Sequence, residues 1–211
     1  MDIGIPADFG FSLAAGIVTL FVILDPIGVV PFFQGLTRSI SSEQRKKIAQ
    51  KSVLIAVGLL LLFAYLGNAI LLLLGISLYD FQIAGGALLL IFAIRDALSN
   101  EPLGATETSA VAAANSKLDH IAVIPIATPL LAGPGSLTTV MLLTKVRYGV
   151  VIAGAAILVD CLLAWVALRM SDRLNRVIGP SGLMIVGKVM DILMAAIAVS
   201  YLFEGITGMG M

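Results

Sequence analysis

The chain has 211 residues, of which 59% are hydrophobic and only 12% charged, against about a quarter charged in soluble domains. A mean hydropathy of +1.06 excludes an ordinary water-soluble domain and points to a chain dissolved in lipid. Thirteen cations balance thirteen acids, so no basic excess invites nucleic acid. The lone cysteine, Cys161, excludes an intramolecular disulfide.

A membrane-spanning helix needs about 20 mainly apolar residues, and six stretches qualify. The residues before the first, Met1 to Phe11, carry Asp2 and Asp8 but no Lys or Arg. A secretory leader begins with positive charge, so the first apolar stretch reads as a retained helix. It runs from about Phe9 to Thr37, with Asp25 its only charge. Ser41 with Gln44 makes a capping box ahead of a cationic turn, Arg45, Lys46 and Lys47. The second helix begins with this turn and is charge-free from Ser52 to Leu74. A short turn, Gly75 to Asp80, leads to the third, Phe81 to Ile94 and on to Leu98.

Ser99 to Lys117 is rich in Ser, Thr, Asn, Ala and Gly and reads as a linker. The fourth span is charge-free from Ile121 to Thr144. The fifth, about Tyr148 to Leu168, holds Asp160 alone; the sixth, about Gly182 to Phe203, holds Lys188 and Asp191. The lone histidine, His120, lies at a loop-to-helix boundary, and no His/Cys cluster has metal-ligand spacing. Neither a metal nor another cofactor is expected.

Orientation follows from the distribution of Lys and Arg. The first, third and fifth loops hold Arg38, Arg45, Lys46, Lys47, Lys51, Arg95, Lys117, Arg169, Arg173 and Arg176. The opposite side holds Lys145 and Arg147. The basic side is therefore expected in the cytoplasm and both termini outside.

The two halves of the sequence resemble each other. Asp25-Pro26-Ile27-Gly28-Val29-Val30-Pro31 in the first span parallels Thr128-Pro129-Leu130-Leu131-Ala132-Gly133-Pro134-Gly135 in the fourth. Each has a capping-type residue, a proline, and a second proline five positions on. Ile83 and Gly85 recur as Ile185 and Gly187 at nearly the same offset. Three spans per half force the second half to enter from the opposite side, an inverted repeat of the kind found in secondary transporters. The expected fold is all-α and integral to the membrane: six helices in two inverted three-helix repeats, with the first and fourth helices discontinuous. The repeats occupy residues 1–98 and 119–211, joined by a cytoplasmic linker, 99–118.

Proline removes a helical hydrogen bond and clashes with the preceding turn. Asp25-Pro26 and Thr128-Pro129 each read as an N-cap with proline at the first helical position. A half-helix would then start inside the membrane. Irregular backbone at that depth is tolerated only within protein or beside a water-filled cavity, so the two interruptions should face each other. Open N–H groups there suit a carboxylate and unwound carbonyls suit an ammonium. The pair fits a zwitterion. Candidate binding residues are Asp25, Pro26, Gly28, Thr128, Pro129, Gly133, Gly135 and Ser136. The bland alternative is a pair of simple proline kinks, with Asp25 only a cap.

Intramembrane charges are costly and are usually paired or functional. Lys188 and Asp191 share a helix face. Asp191 lies roughly 14 Å from its cytoplasmic helix end and Asp160 roughly 17 Å from the outer one, at about 1.5 Å per residue. Asp160, Lys188 and Asp191 are therefore expected as one buried cluster joining the fifth and sixth helices, either structural or coupled to a proton or sodium ion. Two membrane aspartates also suggest a protease, but a nearby cation favours two ionised carboxylates over the shared proton that such chemistry needs. No enzyme is expected. No nucleotide-binding loop is present either.

The runs Asp25-Pro26-Ile27-Gly28-x-x-Pro31-x-Phe33 and Pro125-Ile126-Ala127-x-Pro129-Leu130-x-Ala132-Gly133-Pro134-Gly135 resemble the first- and fourth-helix signatures of the MarC family of bacterial and archaeal inner-membrane proteins. Gly75-Ile76-Ser77, Ile83-Ala84-Gly85-Gly86 and Glu204-Gly205 match its layout. Val29 stands where many members have Asn, and Asp191 where Gly is usual. The resemblance implies transport of small neutral amino acids, glycine and alanine above all, across the inner membrane. An exporter or channel for another small solute or drug keeps the fold and changes the cargo.

Overall fold

The structure, a computed structural model, describes residues 7–37, 40–98 and 131–210. All regular elements among these are helices. The linker, the first half of the fourth span, and Thr128 and Pro129 lie outside the described residues.

Helix α1 (Ala7–Leu24) gives way to a turn and then to α2 (Val29–Leu36). Helix α3 (Ser42–Leu74) absorbs the cationic turn and runs 33 residues, roughly 50 Å at about 1.5 Å per residue. The capping box starts it: Ser41 Oγ accepts from Gln44 N–H at 3.3 Å, and Gln44 Oε1 accepts from Ser41 N–H at 3.2 Å. Gly75, at φ 70°, ends it. Helix α4 (Leu78–Leu98) follows, then α5 (Pro134–Leu143), α6 (Gly149–Arg169) and α7 (Ser171–Gly208). Among the described residues, five stretches are long and apolar enough to cross a bilayer, one of them combining α1 and α2. Helix α5, at ten residues, reaches only about 15 Å, half the hydrocarbon thickness.

The sixth span was expected to begin near Gly182, but helix α7 starts at Ser171. Gly179 interrupts it with φ 76° and ψ 162°, just before Pro180. Glycine alone takes that backbone without strain, and proline then opens the next helical turn. Residues before the kink form a basic segment carrying Arg173 and Arg176, tied to the start of α3 by an Arg45–Asp172 ion pair at 2.5 Å.

The ends of the helices form two groups. Phe9 meets Tyr148 edge-on at 5.7 Å, Lys145 donates to Asn68 Oδ1 at 3.1 Å, and Gly208 lies against Tyr79. The start of α1 and the end of α7 therefore share a side with Lys145 and Arg147, opposite the Arg45–Asp172 pair.

Within lipid, burial of apolar side chains gives no driving force between helices, so close packing of small residues takes over. Helix α3 buries Ala49, Ala56, Ala64 and Gly67, and α6 buries Ala153, Ala156, Ala164 and Ala167. These two helices pack together, as do α1 and α6, while α5 wedges between α3 and α4. The most extensive packing joins α4 to α7. There a Cβ on Gly86 would sit 2.9 Å from the Ala198 carbonyl oxygen, and one on Gly205 would sit 2.6 Å from Ile83. Gly187, the repeat partner of Gly85, has nothing within 4 Å of a Cβ position and permits no comparable approach. The outer surface carries Leu54, Leu62, Leu66, Leu72, Leu73, Leu158, Leu162, Ile185, Ile192 and Phe203, an apolar coat at no cost against acyl chains.

Candidate functional site

The turn between α1 and α2 is built around Asp25. Its φ of 39° is left-handed, which few residues besides Gly, Asn and Asp tolerate, and the following proline restricts it further. The carboxylate offsets part of that strain: Oδ1 accepts from Gly28 N–H at 3.0 Å. Two α1 carbonyls lose their usual partners as a result. Val22 would be bonded by residue 26, but proline has no N–H. Leu24 would be bonded by Gly28, whose N–H is turned to Asp25.

Helix α5 begins at Gly133-Pro134, with Gly133 extended at ψ 174°. The first intrahelical bond runs from Leu137 N–H to Gly133 O at 3.0 Å. The N–H groups of Gly135 and Ser136 lie ahead of it, at the positive end of the helix dipole. Ser136 Oγ donates to the carbonyls of Leu131 and Gly133, each at 3.0 Å. It holds the irregular backbone in place. Thr138 and Thr139 bond back to Pro134 O and Gly135 O at 2.8 and 2.7 Å.

These two features face each other across one cavity. Its wall includes Leu24, Asp25 and Gly28 on one side, Gly133 to Ser136 on another, Leu89, Phe92 and Asp96 of α4, and Asp191 and Met194 of α7. About 80 Å³ is open to the centres of water-sized atoms, and at roughly 10–15 Å³ per water the space takes about five to eight such atoms. Glycine at 28 is required by proximity: a Cβ there would lie 2.7 Å from Asp25 Cγ and closer still to Oδ2. Gly135 is similarly confined, a Cβ standing 2.6 Å from Leu89.

Of the sequence candidates, the structure gathers Asp25, Gly28, Gly133, Gly135, Ser136 and Asp191 at this cavity. Pro26 shapes the turn from behind. Asp160 does not join. It sits on α6 with no exposed surface, and neither carboxylate oxygen has a hydrogen-bond partner among the described residues. The expected cluster of Asp160, Lys188 and Asp191 is thus corrected: Lys188 donates to the Asp96 backbone carbonyl, and Asp191 shares the cavity wall with Asp96. The reason is depth. Counted from the ends on the Lys145 side, Asp25, Asp96 and Asp191 all lie roughly 25–27 Å along their helices, and Asp160 only roughly 17 Å.

Asp96 was missed. Next to Arg95 at the end of an apolar run, it reads as a solvated helix end. The available signal was complementary charge, since the third span of one half ends in an acid and the third span of the other carries Lys188. Phe32, Leu89, Phe92 and Met194, the apolar part of the wall, carry no sequence mark that distinguishes them from lipid-facing residues.

A bundle of apolar spans around a mostly apolar, solute-sized cavity that holds three aspartates defines an integral membrane protein. Residues 11–210 match the MarC family of integral membrane proteins, and the chain belongs to that family. It is similar to a UPF0056 membrane protein of Methanocaldococcus jannaschii, 36% identical over 90% of this chain and 93% of that one. One from Archaeoglobus fulgidus is 35% identical over 98% and 96%. The UPF0056 membrane protein YhcE of Escherichia coli is 31% identical over 90% of each. No solved structure matches the chain.

Proposed function

We propose that this protein is a secondary transporter of small neutral amino acids, chiefly glycine and alanine with serine at the limit, working by alternating access without a chemical step. The observation that carries the reading is the cavity, which sets carboxylates and the end of α1 opposite backbone amides that have no partner among the described residues, across a space of solute size. Ammonium goes to Asp25 and the Leu24 carbonyl; carboxylate goes to the amides of Gly135 and Ser136. Glycine, alanine and serine have five, six and seven non-hydrogen atoms, within the room available.

The accompanying architecture is an inverted repeat with two discontinuous helices, α1–α2 and the span ending in α5. Support comes from the packing, which pairs α3 with α6 and α4 with α7, the second and third helices of each half, each running opposite to its mate. The Thr128-Pro129 turn is assigned to the same site by analogy with Asp25-Pro26. The basic face is assigned to the cytoplasm, both termini to the outside, and the membrane to the inner membrane of a bacterium or archaeon.

Proteoliposome counterflow tests the proposal. Labelled glycine and alanine should exchange saturably, and leucine should compete poorly. No flux of either from folded protein removes the reading. Flux that never saturates replaces the carrier with a channel.

A further inference from the structure

The first two turns of α7 form a short helix of their own. Met170 separates it from α6, and Gly179, at φ 76°, separates it from the rest of α7. Its protein side is occupied. Leu174 packs in a cluster with Ile27, Val30, Ala167 and Leu183. The Ser171 carbonyl accepts from Gln34 Nε2 at 2.8 Å, and Asp172 pairs with Arg45. Residues three and four apart share a helix face, so Arg173, Arg176 and Val177 stand together on another. All three are exposed, Val177 to 85%. Neither arginine has an acidic partner among the described residues.

Depth puts this helix at a bilayer surface. Ile178 lies roughly 45 Å along α7 from Gly208 at about 1.5 Å per residue, against about 40–45 Å for a bilayer with its headgroups. Trp165 of α6 marks the same side: it lies roughly 25 Å from Tyr148, near the hydrocarbon edge where tryptophan concentrates. Arg169 stands over its ring at 5.0 Å. Charge then says what covers the exposed face. Residues 42–51 and 165–178 hold seven cations and two acids, and both acids are taken up, Asp172 by Arg45 and Glu43 by Lys47 at 3.2 Å. The surplus is positive and lies beside an exposed apolar side chain, as in helices that rest on a membrane. An anionic phospholipid complements both, its phosphate the arginines and its acyl boundary Val177. A soluble acidic partner matches the charge and leaves Val177 unmatched.

We propose that residues 171–178 are a docking helix for anionic phospholipid: Arg173 and Arg176 bind headgroup phosphates of the adjoining leaflet, and Val177 enters the boundary beside them. Arginine suits the task because its planar fork meets a phosphate with two parallel hydrogen bonds. Leu174 connects the helix to Ile27 and Val30, on either side of Gly28, so lipid that holds the helix also steadies the Asp25 turn. The inference stands whatever solute the cavity carries.

Two measurements on the full chain test this. In detergent, added phosphatidylglycerol should raise the unfolding temperature more than phosphatidylcholine does, and Arg173→Gln with Arg176→Gln should remove the difference. Each arginine lost should weaken apparent affinity for phosphatidylglycerol about five-fold, while Arg173→Lys with Arg176→Lys should keep most of it. An undiminished rise in the double Gln variant, or the same rise from inorganic phosphate alone, overturns the proposal. A spin label on Val177→Cys, in a Cys161→Ala background, reads position independently of stability. In phosphatidylglycerol liposomes, oxygen dissolved in the lipid should reach the label more readily than a water-soluble nickel chelate. A label that the chelate reaches freely places the helix in water, where a soluble acidic partner would take the arginines, and overturns the lipid.

Discussion

Replacing Gly28 with alanine tests the Asp25 turn with one methyl group. The backbone at 28 is ordinary for any residue, φ −65° and ψ −29°, so no conformational strain opposes the change. Alanine in a helical turn even gains about 0.5–1 kcal/mol over glycine. The obstacle is the carboxylate: the new Cβ would stand 2.7 Å from Asp25 Cγ and 3.1 Å from Oδ1, and overlap Oδ2. The side chain must rotate away, breaking the 3.0 Å bond from Gly28 N–H. Loss of such a cap costs about 0.5–2 kcal/mol, so net stability should change by only about 1 kcal/mol. Function should change far more. A displaced carboxylate forfeits a hydrogen bond to a charged partner, about 1.5–3 kcal/mol. That weakens apparent affinity for glycine by about ten- to a hundred-fold. Concentration-dependent counterflow, with thermal unfolding in detergent as the stability control, measures both. Gly35→Ala, with open space around its Cβ position, should leave affinity unaltered. Gly28→Ala with wild-type affinity refutes the assignment of Asp25 as a substrate ligand.

Gly85→Ala should destabilise by about 1–3 kcal/mol, as overpacking does, because its Cβ would overlap Thr138 Oγ1 and lie 3.0 Å from Thr138 Cβ. Adding Thr138→Ala should recover part of that loss in a double-mutant cycle of unfolding temperatures; strict additivity rules out the contact. Asp160→Asn should keep counterflow and leave stability within about 1 kcal/mol, since no partner is left behind. A collapse of transport there restores Asp160 to the site. Separating Arg45 from Asp172 by Arg45→Ala should cost only about 0–1 kcal/mol in unfolding, less at high salt, because the pair is partly exposed.

Local rules written on adjacent residues were readable. Asp25-Pro26 marked a break because a cap and a missing N–H coincide, and Ser41 with Gln44 marked a helix start by a reciprocal bond that needs only its own four residues. Gly179-Pro180 carried the same kind of mark, and the expected sixth span began beyond it at Gly182. The start of α3 lies well before the charge-free run, because hydropathy measures the lipid-buried part of a helix and Arg45 to Lys51 continue the same backbone beyond it. The companions of Asp191 were hidden for a different reason. Sequence spacing gives depth along one helix, while pairing depends on which helix lies alongside, and α4 rather than α6 does. Asp96 therefore waited on tertiary structure, as did the exclusion of Asp160.

Where Gly86 rests on the Ala198 carbonyl and Gly205 on Ile83, nothing but backbone and short branches separates α4 from α7. At those two points no long side chain lies between the backbones to take up a slide or a twist. The two helices should then travel as one plank, with the looser boundaries of α7 against α1 and α6 giving way first. On that plank Asp96 and Asp191, which both stand in the cavity wall, keep a fixed separation.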